Sequence, residues 1–136
     1  MKVDGRCHCG DLAFEAEIDP ERVTICHCSD CQTLSGSAYR VNVYAEAAKF
    51  RFTRGEPATY ERTAESGRQR RHAFCPRCGA EFYSTGTTGE AAKALSLRTG
   101  TIAQRAQLKP SRQIWCRSAV GWTQDLDGIP QNETGG

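Results

Sequence analysis

The chain is short of the features that would make it a membrane, nucleic-acid or secreted protein. No apolar run approaches the roughly 20 residues a membrane-spanning helix needs, and mean hydropathy is −0.59, so no membrane contact is expected. Charge of either sign is not in excess: a net of +2 and an isoelectric point near 8.1 give no electrostatic footprint for nucleic acid, which calls for a clustered basic face. No internal repeat and no long stretch of helical periodicity occurs. The first cysteine cluster begins at Cys7, which leaves no room for a charged segment, an apolar run and a cleavage site ahead of it. A cytoplasmic protein is expected.

Cysteine is what the chain has in quantity. Seven of its eight cysteines fall in three tight groups: Cys7-His8-Cys9, Cys26-His27-Cys28-Ser29-Asp30-Cys31 and Cys75-Pro76-Arg77-Cys78. Cysteines one residue apart are poorly placed to bridge each other, and in a reducing cytosol such knuckles point to metal rather than disulfides. Zinc suits thiolates in this spacing better than an iron-sulfur cluster. Two zinc ions would use all seven sulfurs, one closed by four and the other holding three with a coordination position free for chemistry.

The 136 residues suit one domain, over 1–124, with a polar tail, expected to fray, over 125–136. Short, β-branched or aromatic segments predict strands at 23–25, 39–44, 50–52, 59–62, 80–83, 95–98 and 113–116, mostly antiparallel, with turns near Gly55, Gly67, Gly86 and Pro110. Helical structure is confined to short turns: one capped by Ser29 and stopping at Gly36, one over 45–49 and one over 89–94. The fold class is mainly β.

Cys75-Pro76-Arg77-Cys78-Gly79 reads as a zinc knuckle, with Gly79 free to take the left-handed conformation such a turn requires. Either of the other clusters could supply its partners, and spacing alone does not choose. Pairing Cys7 and Cys9 with Cys75 and Cys78 is preferred because it strands no sulfur, leaving Cys26, Cys28 and Cys31 as a set of three. That set has a purely structural alternative, in which Asp30, His72 or Cys116 closes a second four-ligand site. His27 is set facing away from the metal by the alternation of a short strand, and as a general acid or base it is a weak candidate. His8 and His72 read as ordinary polar residues, Cys116 as a small hydrophobe in an apolar strand, and Trp115 and Trp122 as core or interface. The run Arg68-Gln69-Arg70-Arg71 reads as a solvated face that could meet an acidic substrate.

Gly5-x-Cys7-x-Cys9-Gly10 with Phe14, then Cys26-His27-Cys28-Ser29-x-Cys31 with Gly36, then Phe74-Cys75-x-x-Cys78-Gly79, resembles the glutathione-dependent formaldehyde-activating enzyme family, which includes the domain of centromere protein V. The resemblance spans about residues 3 to 123 and continues through Arg98-Thr99-Gly100-Thr101, Pro110-Ser111-Arg112-Gln113-Ile114-Trp115 and Trp122. It implies a β-sheet "tent" with a structural zinc on Cys7, Cys9, Cys75 and Cys78 and a catalytic zinc on Cys26, Cys28 and Cys31. The implied activity is that of a carbon-sulfur lyase: reversible condensation of glutathione with formaldehyde to S-hydroxymethylglutathione. Three thiolates on a dication leave a formal charge of −1, so binding and placing a thiol are expected to outweigh carbonyl activation. The expected partners are a small thiol, glutathione in the type reaction, and an aldehyde. A non-enzymatic zinc module that binds a macromolecule is the alternative that the centromere resemblance allows. A homodimer through exposed sheet edges is a further expectation.

Overall fold

The computed structural model describes residues 1–135. Eight strands carry the chain: β1 (Lys2–Arg6), β2 (Ala13–Cys26), β3 (Arg40–Arg54), β4 (Ala58–Thr63), β5 (Gln69–Phe74), β6 (Glu81–Gly86), β7 (Ala94–Arg98) and β8 (Arg112–Ile114). One α-helix, α1 (Ser29–Ser35), interrupts them between β2 and β3, and short 3-10 turns fill the second half. The sheet runs β1-β2-β3-β7-β6-β5-β4, with β8 added beside β2. Every pairing is antiparallel except the short parallel one of β8 with β2. The mainly β, antiparallel expectation holds, and among the described residues no helix is long and apolar enough to cross a membrane.

Alternation places the core. Val3 in β1 and Phe14, Ala16 and Ile18 in β2 point inward, while the charged residues between them face out. They meet Val43, Phe82, Leu97 and Ile102, all fully buried. Phe14 packs edge-on against Phe82 at 5.8 Å and stacks on Phe50 at 5.1 Å. Burial of each such ring contributes about 1.5–3 kcal/mol.

Several local expectations give way to sheet pairing. The stretch Ala45-Glu46-Ala47-Ala48-Lys49, read as a helical turn, lies within the fifteen-residue β3. Ala45 and Glu46 pair with Leu95 and Ala94 of β7, so tertiary pairing overrides alanine's helical preference. The two strands expected at 39–44 and 50–52 are therefore one. Ser29 does not cap α1. Cys28 occupies the cap position, its sulfur accepting from the Cys31 N–H at 3.2 Å. Helix α1 does stop at Gly36, in the left-handed region at φ 65°. The 3-10 turn Gly89–Lys93 matches the third expected turn. Cys116 leaves the strand assigned to it: β8 ends at Ile114, Trp115 turns the chain at φ 55°, and Cys116 is exposed. Residues 125–135 are exposed and carry no helix or strand.

Candidate metal centres and the arginine cleft

Two hairpin turns build the first cysteine cluster. Cys7 and Cys9 lie in the turn from β1 to β2, and Cys75 and Cys78 in the turn from β5 to β6. Gly10 at φ 84° and Gly79 at φ 77° let each chain fold back, their N–H groups donating to the carbonyls of Cys7 and Cys75 at 3.3 and 2.9 Å. The four sulfurs lie within 4.8 Å of one another, with Cys7–Cys9 at 3.6 Å and Cys9–Cys75 at 3.7 Å. Tetrahedral zinc with Zn–S bonds near 2.3 Å spaces its sulfurs about 3.8 Å apart, so the donor set and its spacing fit that ion. The Leu12 N–H donates to the Cys7 sulfur, and the Cys9 and Ala80 amides lower the Cys78 thiol to about 6. Backbone donors favour the thiolate at these two sulfurs; at Cys9 the Asp11 amide does the same, but burial and the neighbouring sulfurs push it up to about 11, so a cation among the four is what would let them ionise together.

The second cluster sits where β2 ends and α1 begins. Cys26 is the last residue of β2, Cys28 the helix cap and Cys31 one turn into α1. All three are buried, their sulfurs within 4.8 Å of one another, and Ile114 and Trp115 pack against them. A hydrogen bond with Cys31 lowers the Cys26 thiol. The Cys26 contact and burial raise Cys31, and burial followed by the Cys31 contact raises Cys28. Sulfurs this crowded do not ionise together unaided, and a divalent cation among them is what would let all three do so. The residues thus fit a metal bound by three thiolates.

No fourth protein ligand joins them among the described residues. Asp30 is turned to Arg62, at 2.8 Å. His72 is buried between β5 neighbours: its Nε2 accepts from Arg62 Nε at 2.9 Å, so Nδ1 carries the proton and donates to Glu81. Cys116 lies on the surface. His27 is buried, with Nε2 2.7 Å from the Gln113 side chain and its ring edge-on to Tyr39. The structural alternative for this cluster therefore lacks each of the closing ligands considered for it. Trp122, 57% exposed, is not core. The basic run is largely spoken for, since Arg71 pairs with Glu61 at 2.7 Å and Arg70 donates to Ser84.

Side chains without any sequence motif complete the site. Arg40 is the register partner of Cys26, so the two side chains share one face of the sheet, and its charge favours the Cys31 thiolate. Glu81 lies 3.0 Å from Arg40 Nη2 and accepts from Arg98 at 2.9 Å. Arg98 also donates to Asn42 at 2.7 Å. Glu81 is held at about 2: His72 and Arg98 outweigh the burial that opposes ionisation. Burial, with the like charge of Arg40, brings Arg98 down to about 10. Nothing in a strand's alternation marks Arg40 and Glu81 as inward charges. Arg98 stood inside a recognisable segment, but without a role.

Arg40 and Arg98 form part of the wall of a cleft of about 1060 Å³. It runs from Cys7 and Gly79 at the first cluster to Leu34 and Ser35 of α1, which follow Cys31 on one face of that helix.

The sequence model of the glutathione-dependent formaldehyde-activating enzyme family matches residues 2–118, and the chain belongs to that family. A crystal structure of a Rhodobacter sphaeroides protein shares the fold: it superposes with a TM-score of 0.62 at 19% identity, covering 81% of this chain and 98% of that one.

Proposed function

We propose that the chain is a zinc-dependent carbon-sulfur lyase that reversibly joins a small thiol to an aldehyde, with glutathione and formaldehyde as the type substrates. One observation carries this reading: three buried cysteine sulfurs within 4.8 Å of one another, with no fourth protein ligand among the described residues. Zinc held there would supply a Lewis-acidic position able to lower the pKa of a thiol or polarise a carbonyl oxygen. The four-cysteine cluster, closed by its own sulfurs, serves the fold.

The reaction needs no oxidant. A sulfur-carbon bond forms, the carbonyl π electrons move to oxygen, and the thiol proton ends on that oxygen. The chain's own residues contribute placement and exclusion of water. Cys26, Cys28 and Cys31 fix the reacting position on the junction of β2 and α1. Ile114 and Trp115 cover one side of it, and the Arg62–Asp30 contact holds α1 against β4. Gln32 ties the helix further, donating to the His27 and Ser118 carbonyls at 2.9 and 3.0 Å. Such pre-placement is where a thiol addition gains most of its rate.

Because a thiol also adds to formaldehyde without a catalyst, the test is exchange between free and adduct formaldehyde followed by NMR and compared with the uncatalysed rate. The protein should accelerate that exchange, and Cys28→Ser should return it to the uncatalysed rate while keeping its circular dichroism. Exchange no faster with the protein than without it, across several thiol and aldehyde pairs, removes the reading.

A further inference from the structure

Two arginines and one carboxylate are largely enclosed beside the three-cysteine cluster, and their charges do not cancel. Arg40 and Arg98, 5% and 7% exposed, both face the carboxylate of Glu81, at 3.0 and 2.9 Å. His72 accepts from Arg62 and donates to Glu81, so it stays neutral. Arg62 is matched by Asp30, and Arg70 is only half-buried, where water screens its charge. Among the described residues one positive charge is thus left over in the interior.

The fold fixes where that charge sits. Arg40 opens β3 directly opposite Cys26, the last residue of β2. Partners across an antiparallel pair share one face with Cβ atoms about 5 Å apart, so the Arg40 side chain leaves the sheet on the side of the Cys26 sulfur. Both residues are buried, and charges enclosed in protein act on each other more strongly than charges in water. The charge of Arg40 reaches Cys31 as well, whose thiolate it favours. Hydrogen bonding does not account for the placement. Arg40 Nε and Nη2 find no hydrogen-bond partner among the described residues. An arginine kept for its hydrogen bonds is poorly served there, whereas one kept for its charge is not.

Zinc on three thiolates would carry a formal −1, and an anionic fourth ligand would make it −2. In a buried site that step is unfavourable unless a positive charge stands close. We propose that Arg40 is a positioning residue for the fourth ligand: its unbalanced charge offsets that of the metal-thiolate centre, so that the open position takes an anion such as a thiolate rather than a neutral donor. Arg98 adds to the effect, and Glu81 sets its strength by neutralising one of the two guanidinium groups. The open metal position rests on the reading proposed above; the surplus charge rests on Arg40, Arg98 and Glu81 alone.

Cobalt(II) in place of zinc makes the fourth ligand visible, because its absorption bands shift when that ligand changes. The probes are thiocyanate, an anion, and imidazole, a neutral donor, each titrated into cobalt-loaded protein at constant ionic strength. The four-cysteine cluster, closed by its own sulfurs, contributes a constant background. Arg40→Met should weaken thiocyanate binding about tenfold and leave imidazole within about twofold, and Arg40→Lys should recover most of the loss. Glu81→Gln frees the second charge and should tighten thiocyanate by a similar factor, a change of sign that mere structural damage does not produce. Where Arg40→Met does not fold, Arg40→Lys and Glu81→Gln against the wild type keep the test sound. Thiocyanate affinity unchanged in Arg40→Met, thiocyanate and imidazole weakened together, or thiocyanate weakened in Glu81→Gln overturns the inference and leaves the lyase reading intact. A wild-type spectrum that answers to neither probe removes the open position itself, and both readings with it.

Discussion

Glu81 stands between two buried guanidinium groups and the ring of His72, and its charge is what makes that arrangement tolerable. Glu81→Gln strands Arg40 and Arg98 without a counter-charge and should lower unfolding free energy by about 3 kcal/mol, read from urea titration. The same residues set the acid response. Glu81 is held at about 2 against an ordinary value of 4.5, so its stabilisation is present above pH 4.5 and drains away as pH falls towards 2. Burial, opposed by Glu81, lowers His72 below its ordinary 6.5. The unfolded chain therefore takes up that proton first, and stability starts to fall as pH drops through 6.5. Urea midpoints against pH should show both stages, with His72→Gln removing the first and Glu81→Gln the second. The cysteines divide in a like manner. Cys28→Ser should lose one metal and activity yet stay folded, whereas Cys78→Ser should unfold or aggregate, as metal analysis and circular dichroism would record. If both behave alike, the two clusters do not have separate roles.

Elements, more than residues, were legible in the sequence. The seven clustered cysteines announced both sulfur groups, and the structure brings Cys7, Cys9, Cys75 and Cys78 together, and Cys26, Cys28 and Cys31 together, as preferred. Strands with aromatic or β-branched alternation could be read directly. The first half of β2 was not read as a strand although Phe14, Ala16 and Ile18 alternate with Glu15 and Glu17, because alanine and glutamate have low strand propensity; in β5 the arginines mask the alternation. The cleft was hidden altogether: Arg40, Glu81 and Arg98 lie on three strands and meet only through sheet order. The close approach at Gly5 is also a matter of elements. A Cβ there would stand 2.1 Å from the Thr101 carbonyl oxygen and 2.6 Å from the Phe14 ring, where β1 bridges to Ile102. Gly5→Ala should cost about 2–3 kcal/mol, visible as a lower urea midpoint. Helix α1 depends on Arg62 of β4. Arg62→Met should weaken its seating by about 1 kcal/mol and speed metal loss to a chromogenic chelator from the three-cysteine cluster alone.

At the scale of the molecule, two sulfur clusters tie a small sheet at different depths. The first joins the β1-β2 turn to the β5-β6 turn across 66 residues, so metal there closes the fold upon itself. The second joins only neighbours in sequence, at the junction of β2 and α1, so emptying it should leave the sheet tied. Beside it the cleft collects arginines that the fold does not neutralise. On the proposed reading the four-sulfur cluster holds the chain and the three-sulfur cluster does the chemistry, so the two should differ in how they respond to a thiol. Zinc content of the anaerobically purified protein, with sulfur coordination followed by X-ray absorption before and after glutathione is added, puts that arrangement to the test. Two zinc ions per chain should be found, with mean sulfur coordination rising when glutathione enters. One ion per chain, or two with complete coordination that ignores the thiol, would contradict it.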